Sequence, residues 1–406
     1  MMLKRTPLPL YVFFIASWVL AACSGFATGG TIKIVSDLPM TGSALAQTQS
    51  IVNAIEQALA EKEYKTCNGK WTIQYEAHDD ASPALNNWDP AVVKANAELY
   101  VNDPGVVAII GTYNSDASKI MIPILNQANL VMISPSNTYP GLTQPGAEGE
   151  PDVYYPSGER NYARVVPTDD RQGFVAAQWT RDLGAKSVYI LDNGELYGRG
   201  VADVFEKTAK EIGLTVLRHE SIDTTVHVYT AVASQITEFD PDLVYFGGTT
   251  QSGGGFLVRD IRAAGYQGFI MASDGVLEQA FIEDAGKAAE DVYVTFGGIP
   301  PAELTGKAAE WRSEYKAKYG SDPEPYALYG YVAAQLLLDS FERLCEAGGL
   351  PTDRKAVRDA VLGAKDFTSV IGKFSIDKNG DTTLTTMSGS QVKNGKFEFV
   401  TLLGGG

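Results

Sequence analysis

The side chains of this chain that can do chemistry are hydroxyls and carboxylates at the ends of apolar runs. Ser115 comes just after the run Val106-Val107-Ala108-Ile109-Ile110 and near the start of a helix. Its hydroxyl and the adjacent backbone N–H groups suit a carboxylate at the helix's positive end, or Ser115 simply caps that helix. Asp274 follows the apolar Ile270-Met271-Ala272; it either caps a helix beginning near Val276 or, desolvated, pairs with a cation. A dry cleft that holds a ligand of opposite charges must supply donors for one end and acceptors for the other.

Catalytic patterns do not emerge. His78, His219 and His227 are the only histidines, and they form neither an HExxH pair nor a Ser-His-Asp hydrolase motif. Gly247-Gly248 and Gly253-Gly254-Gly255 reproduce no phosphate-binding fingerprint. Asp377-Lys378-Asn379-Gly380-Asp381 resembles a calcium loop, but its glycine comes too early and Ser388 stands where the loop needs Glu. A turn at Asn379-Gly380 is the better reading. The chain is expected to be no enzyme and to carry no metal and no cofactor.

Alternating strands and helices must position these groups. Strands are expected at Thr31–Val35, Trp71–Tyr75, Val106–Ile110 and Leu130–Ile133, with helices over Ala44–Lys62 and from Pro90, where Asp89 is the N-cap. Pro135–Asn161, rich in Pro and Gly, interrupts the series as a long surface loop. Strands then recur at Ser187–Leu191, Leu214–His219, Leu243–Phe246, Gly268–Ala272 and Val292–Thr295, separated by helices. Two successive βα series imply an α/β protein of two doubly wound parallel-sheet lobes. A long helix over Tyr326–Ala347 and short strands at Gly372–Ile376 and Lys396–Leu402 complete those lobes, so several crossings form a hinge above a cleft.

The 406 residues suit two or three domains, with 45% hydrophobic and 20% charged residues. A net charge of −16 argues against nucleic acid as a partner. Lys4 and Arg5 precede an apolar stretch, Leu8–Val19, too short to span a membrane. It ends in Leu20-Ala21-Ala22-Cys23, which resembles the bacterial lipobox. Residues 1–22 are therefore read as a signal peptide and 23–30 as a tether lipidated at Cys23. Cleavage there leaves 384 residues and, without Lys4 and Arg5, a charge of −18.

Gly111-Thr112-Tyr113-Asn114-Ser115, followed by Met132-Ile133-Ser134-Pro135-Ser136-Asn137-Thr138, resembles the type I periplasmic binding proteins of the leucine/isoleucine/valine-binding family. Asp192-Asn193-Gly194-Glu195-Leu196-Tyr197-Gly198, Val244-Tyr245-Phe246-Gly247-Gly248 and Ala272-Ser273-Asp274-Gly275 support it, as do the closing Val370-Ile371-Gly372 and Asp377–Asp381. The resemblance covers nearly all of the mature chain. It implies lobe one at 31–167 plus 296–371, and lobe two at 168–295 plus 372–406.

The resemblance also implies an extracytoplasmic lipoprotein that hands a small neutral amino acid, branched-chain or aliphatic, to the permease of an ABC importer. Alternatives are an aromatic acid, a urea-like or amide ligand, or a sensory module that presents its closed lobes to a receptor. Matched to the family motif, Ser115 takes the ligand carboxylate, the Ser136 carbonyl takes the amine, and Thr138, next to Asn137, touches both. Tyr197 covers the ligand. Asp274 pairs with the ammonium group, where branched-chain binders carry Glu. Thr249 replaces a tyrosine of some relatives, and Gln47 takes a rim position often held by an aromatic residue. The Pro135–Asn161 loop exceeds the family norm. The disulfide of some relatives is not reproduced, since Ser82 and Asn114 stand in its place. Cys67 and Cys345, both in lobe one, are expected to pair instead, two buried thiols being the alternative.

Overall fold

The computed structural model describes residues 29–404, so the expected signal peptide and the expected lipidation site Cys23 lie outside the described residues. Two main sheets carry the fold. The first has six strands in the order Lys65–Thr66, Trp71–Asp79, Thr31–Leu38, Val106–Gly111, Val131–Ser134 and Tyr162–Arg164. Its strands run parallel except for the short Lys65–Thr66 edge. Helices cover both faces, and every residue of Val106–Gly111 is buried, as its unbroken apolar run requires. Asp89 caps the Pro90–Asn102 helix as expected, its carboxylate accepting from Ala91 N at 2.8 Å.

The second sheet has seven strands, in the order Thr215–Ser221, Ser187–Asp192, Leu243–Gly247, Phe269–Ala272, Tyr293–Phe296, Met387–Lys393 and Lys396–Leu403. The first five run parallel; the C-terminal hairpin adds antiparallel to the far edge. This sheet takes the chain back at Met387. The boundary expected at Gly372 instead falls inside a small hairpin, Phe367–Ser369 against Gly372–Phe374. After that hairpin, Gly380 O accepts from Arg164 N of the first sheet at 3.0 Å.

The Pro135–Asn161 segment departs from its reading as a surface loop. It contains two short 3-10 turns and buries Leu142, Tyr154 and Tyr155 against the first sheet's helices. Glu150 gathers it, accepting from Tyr154 Oη at 2.7 Å, Tyr139 Oη at 2.9 Å and Ala147 N at 2.8 Å. Its aromatic residues supply the burial that Gly and Pro content concealed.

The 20-residue helix Ala327–Glu346 lies along Leu45–Glu61. Gly330 permits this approach, since a Cβ there would stand 2.7 Å from Ile51 Cγ2 and 3.0 Å from Ile51 O. At the helix's far end Cys345 is disulfide-bonded to Cys67, with the Cα atoms 5.5 Å apart. Glu342 adds bonds to Thr66 Oγ1 at 3.2 Å and Asn68 N at 3.0 Å. The bridge spans 278 residues of sequence, so it restricts the unfolded chain strongly. Cys345→Ser is expected to cost about 2–5 kcal/mol in urea unfolding. Thiol titration of the unfolded, unreduced mature chain should find both cysteines blocked.

Candidate functional site

The candidate residues gather where the carboxyl ends of parallel strands from the two sheets face each other, the usual place for ligands in open α/β sheets. Ser115 opens the Ser115–Asn126 helix directly after Val106–Gly111. It is not the cap: Asn114 holds that position, and the Ser115 hydroxyl lies 3.5 Å from Tyr139 N. Ser136 donates to Tyr113 O at 3.0 Å and keeps the two loops in register. Opposite them, Tyr197 starts the Leu196–Glu211 helix, and Asp274 opens a short 3-10 turn after Phe269–Ala272.

Asp274 is 2% exposed. Tyr197 Oη donates to one of its oxygens and Tyr326 Oη to the other. Tyr326 stands at the start of the long Ala327–Glu346 helix, so the aspartate is gripped by tyrosines from both sides of the cleft. Burial raises its pKa, opposed by the bonds from Tyr197, Tyr326 and Gln172. Tyr197 Oη also contacts Ser273 Oγ at 2.8 Å and accepts from Gly275 N at 2.9 Å, which fixes the turn.

Ser115, Ser136, Tyr197 and Thr249 wall a common cavity of about 20 Å³, together with Tyr113 and Tyr326. That is room for about one water, so ligand entry requires the lobes to part. Thr249 is held by mutual bonds with Ser252, including Ser252 N to Thr249 Oγ1 at 3.1 Å. Thr138 is buried beside Asp169 and does not line this cavity.

Two expected contacts lie elsewhere. The Asn137 side chain is spent inside the loop, donating to Thr112 O and Tyr113 O at 2.9 Å each and accepting from Tyr162 Oη at 3.1 Å. Gln47 is 1% exposed rather than at a rim, and its Oε1 accepts from Tyr326 N at 3.1 Å. Its amide braces Tyr326 from behind, a place that an aromatic residue cannot fill in the same way.

Sequence reading passed over Tyr326, Tyr113, Asp169, Asp116 and Glu195. Asp169 is fully buried at the start of the Asp169–Asp182 helix, with the Thr138 side chain beside its carboxyl group. Burial and the nearby Asp274 charge push its pKa well up. The buried cation of this region, Arg164, is already engaged: it pairs with Asp381 at 2.7 Å and donates to Asn137 O and Tyr139 O at 3.0 and 2.8 Å.

The lobes are shut on one another. Asp116 Oδ2 accepts from Leu196 N at 2.9 Å, placing a carboxylate on the N-terminus of a helix from the other lobe. Trp88 Nε1 donates to Glu195 Oε1 at 3.3 Å. Gly200 lies so near Tyr139 that a Cβ would be 2.6 Å from the ring. Burial first and the Asp116 charge second push Glu195 up to about 7, against the bonds from Trp88 and Asn193.

The family description "Periplasmic binding protein" matches residues 31–396. A Leu/Ile/Val-binding protein homolog 2 of Brucella abortus is 28% identical over 368 residues, covering 89% of this chain and 92% of that protein. A leucine binding protein from Thermotoga maritima superposes with a TM-score of 0.78 at 26% identity, covering 92% of this chain and 98% of its own. An ABC transporter solute binding protein from R. palustris, solved with benzoate, superposes at 0.76 with 18% identity over 92% of this chain and 96% of its own.

Opening the cleft hydrates Glu195 and returns its pKa towards the ordinary carboxylate range. The closed form therefore binds the extra proton, and this contribution to closure is lost as pH rises through about 7. For this group alone, closure should weaken about tenfold between pH 6 and pH 8. Glu195→Gln should remove that component, seen by comparing the pH profiles of ligand affinity for the two proteins.

Proposed function

The chain belongs to the periplasmic binding protein family, and from that premise we propose that it captures a small neutral amino acid, branched-chain or aliphatic, between its lobes. The captured ligand would pass to an ABC importer's permease, and the chain would be held at a bacterial membrane by lipid on Cys23. Among the described residues no helix is long and apolar enough to cross a membrane. Binding selects the closed arrangement through its higher affinity for the ligand, with no chemical step.

The feature that carries this reading is Asp274, buried behind Tyr197 and Tyr326, which bond its two oxygens and wall the closed cavity with Ser115, Ser136 and Tyr113. A buried carboxylate close behind the cavity wall favours an ammonium group. The ligand carboxylate then falls to Ser115 and the first N–H groups of its helix.

A second reading, an aromatic acid, draws on the edge-to-face rings of Tyr113 and Tyr326, 5.9 Å apart at the cavity wall. It ranks lower because an acid without an amine leaves Asp274 without a cation.

A thermal-shift screen over amino acids, aromatic acids and amides should identify the ligand, because a ligand bound only by the folded state raises the melting midpoint. Calorimetry with that ligand should then show Asp274→Asn losing about 2–5 kcal/mol of binding energy. Ser115→Ala should lose less, about 0.5–3 kcal/mol, since backbone N–H groups remain. Equal affinity for the amino acid and its deaminated analogue, with Asp274→Asn harmless to both, would sink the amino-acid reading.

A further inference from the structure

We propose that the second sheet's edge carries a divalent-metal site of zinc-binding chemistry, with His219, Glu206 and Asp203 as ligands. This site is independent of the ligand cleft and of the function proposed above. His219 lies on the edge strand Thr215–Ser221, while Asp203 and Glu206 lie three residues apart on the helix Leu196–Glu211. One donor atom from each falls within 4.8 Å of the others.

The decisive feature is how the imidazole is oriented from behind. Asp192, its side chain only 3% exposed, ends the neighbouring strand. Its Oδ1 accepts from Ser221 Oγ at 2.7 Å and from Gly194 N at 2.6 Å, and its Oδ2 lies 3.0 Å from His219 Nε2. Asp192 is thus a carboxylate already gathering donors, and the imidazole meets it with Nε2–H. In the neutral ring Nδ1 is then a bare lone pair, yet it lies 2.9 Å from Glu206 Oε2. Two acceptors at that separation repel unless a cation stands between them. A carboxylate–histidine pair that sets the tautomer is the outer arrangement typical of metal-bound histidine.

The third donor is what distinguishes a metal from a proton. A proton on Nδ1 is satisfied by Glu206 alone, and Asp203 Oδ1, 3.9 Å from the same nitrogen, is then superfluous. Zinc bonds of about 2.0–2.2 Å set neighbouring ligands about 3–4 Å apart. The spacings to Nδ1 straddle that range, and Asp203, with its side chain 59% exposed, is free to adjust. Three carboxylates surround this one imidazole; Lys210, 2.7 Å from Glu206 Oε1, and nearby Arg199 offset only part of their charge. One imidazole with two carboxylates suits zinc or a neighbouring transition metal better than calcium or magnesium. A bound ion would pin the edge strand to the helix that carries Tyr197 into the cleft.

The mature full-length chain, stripped with chelator and titrated with zinc chloride at neutral pH, should take up one equivalent by calorimetry. Its melting midpoint should rise, because zinc binds the folded site. Cobalt(II) should give visible bands whose intensity reports the coordination. His219→Ala should abolish uptake, and Asp203→Asn should weaken it at least about tenfold. Asp203 is exposed, so that variant should melt like the parent in chelator, which keeps the result readable if His219→Ala folds poorly. No uptake at about 100 μM free zinc, with nuclear magnetic resonance showing the His219 ring doubly protonated, would overturn the site in favour of an imidazolium. Uptake untouched by either substitution would overturn it as well.

Discussion

Asp274 lies where water does not reach, and the difficulty of keeping a charge there governs the cleft around it. Two tyrosine hydroxyls relieve it in part, one from each side of the gap. Neither is a cation, so the carboxylate stays short of what a full ion pair would supply. Asp169 lies close by, and burial together with the Asp274 charge holds it towards its neutral form. A cleft of this kind is acceptor-rich by construction and rewards an occupant that brings positive charge and several N–H donors. The same desolvation that makes the closed cleft costly without such an occupant makes it selective with one.

Holding that cleft in register falls to groups that touch no cavity. Arg164 is the hub: completely buried, it joins Asp381 from the late chain to Asn137, Tyr139 and Thr143 of the loop beside the site. The Asp377–Asp381 segment is thus a turn whose last carboxylate faces an arginine, with Asp377 Oδ1 accepting from Asn379 N and Asp381 N. Gln47 serves Tyr326 in the same manner, and Asn137 serves the Thr112–Tyr113 backbone. The Cys67–Cys345 bridge anchors the other end of the helix that presents Tyr326. Precision at Asp274 therefore depends on segments separated from it by large stretches of sequence.

Closure has its own electrostatic cost. Asp116 gains an N–H from the opposing helix, but it also approaches Glu195, and both carboxylates lose water as the lobes meet. Burial pushes both pKa values up; for Asp116 the charge of Lys119 and the N–H groups of Leu196 and Tyr197 act against it. Closure is thus a balance of a helix-end contact against desolvation. Such a balance allows a modest ligand to tip the lobes, where an apolar interface would stay shut.

The sequence by itself determined the α/β alternation, the buried parallel strands, the Asp89 cap and the prominence of Ser115, Ser136, Thr138, Tyr197 and Asp274. The apolar runs and the cap are local, written in neighbouring residues, whereas the site residues stood out through the family motifs that their segments resemble. Only the tertiary structure decided that Tyr326 meets Asp274, that Gln47 stands behind it, that Asn137 supports a loop, that Asp169 is buried and that Glu195 is half-buried between the lobes. Each of these depends on contact between distant segments, and burial, which turns an ordinary carboxylate into a strained one, has no local signature. The packing of Leu142, Tyr154 and Tyr155 was hidden for the same reason, because Gly and Pro report backbone freedom but not which face an aromatic ring will find. The gathering of Asp192, Asp203, Glu206 and His219 likewise arises where a helix crosses a sheet edge, a juxtaposition that spacing along the chain does not encode.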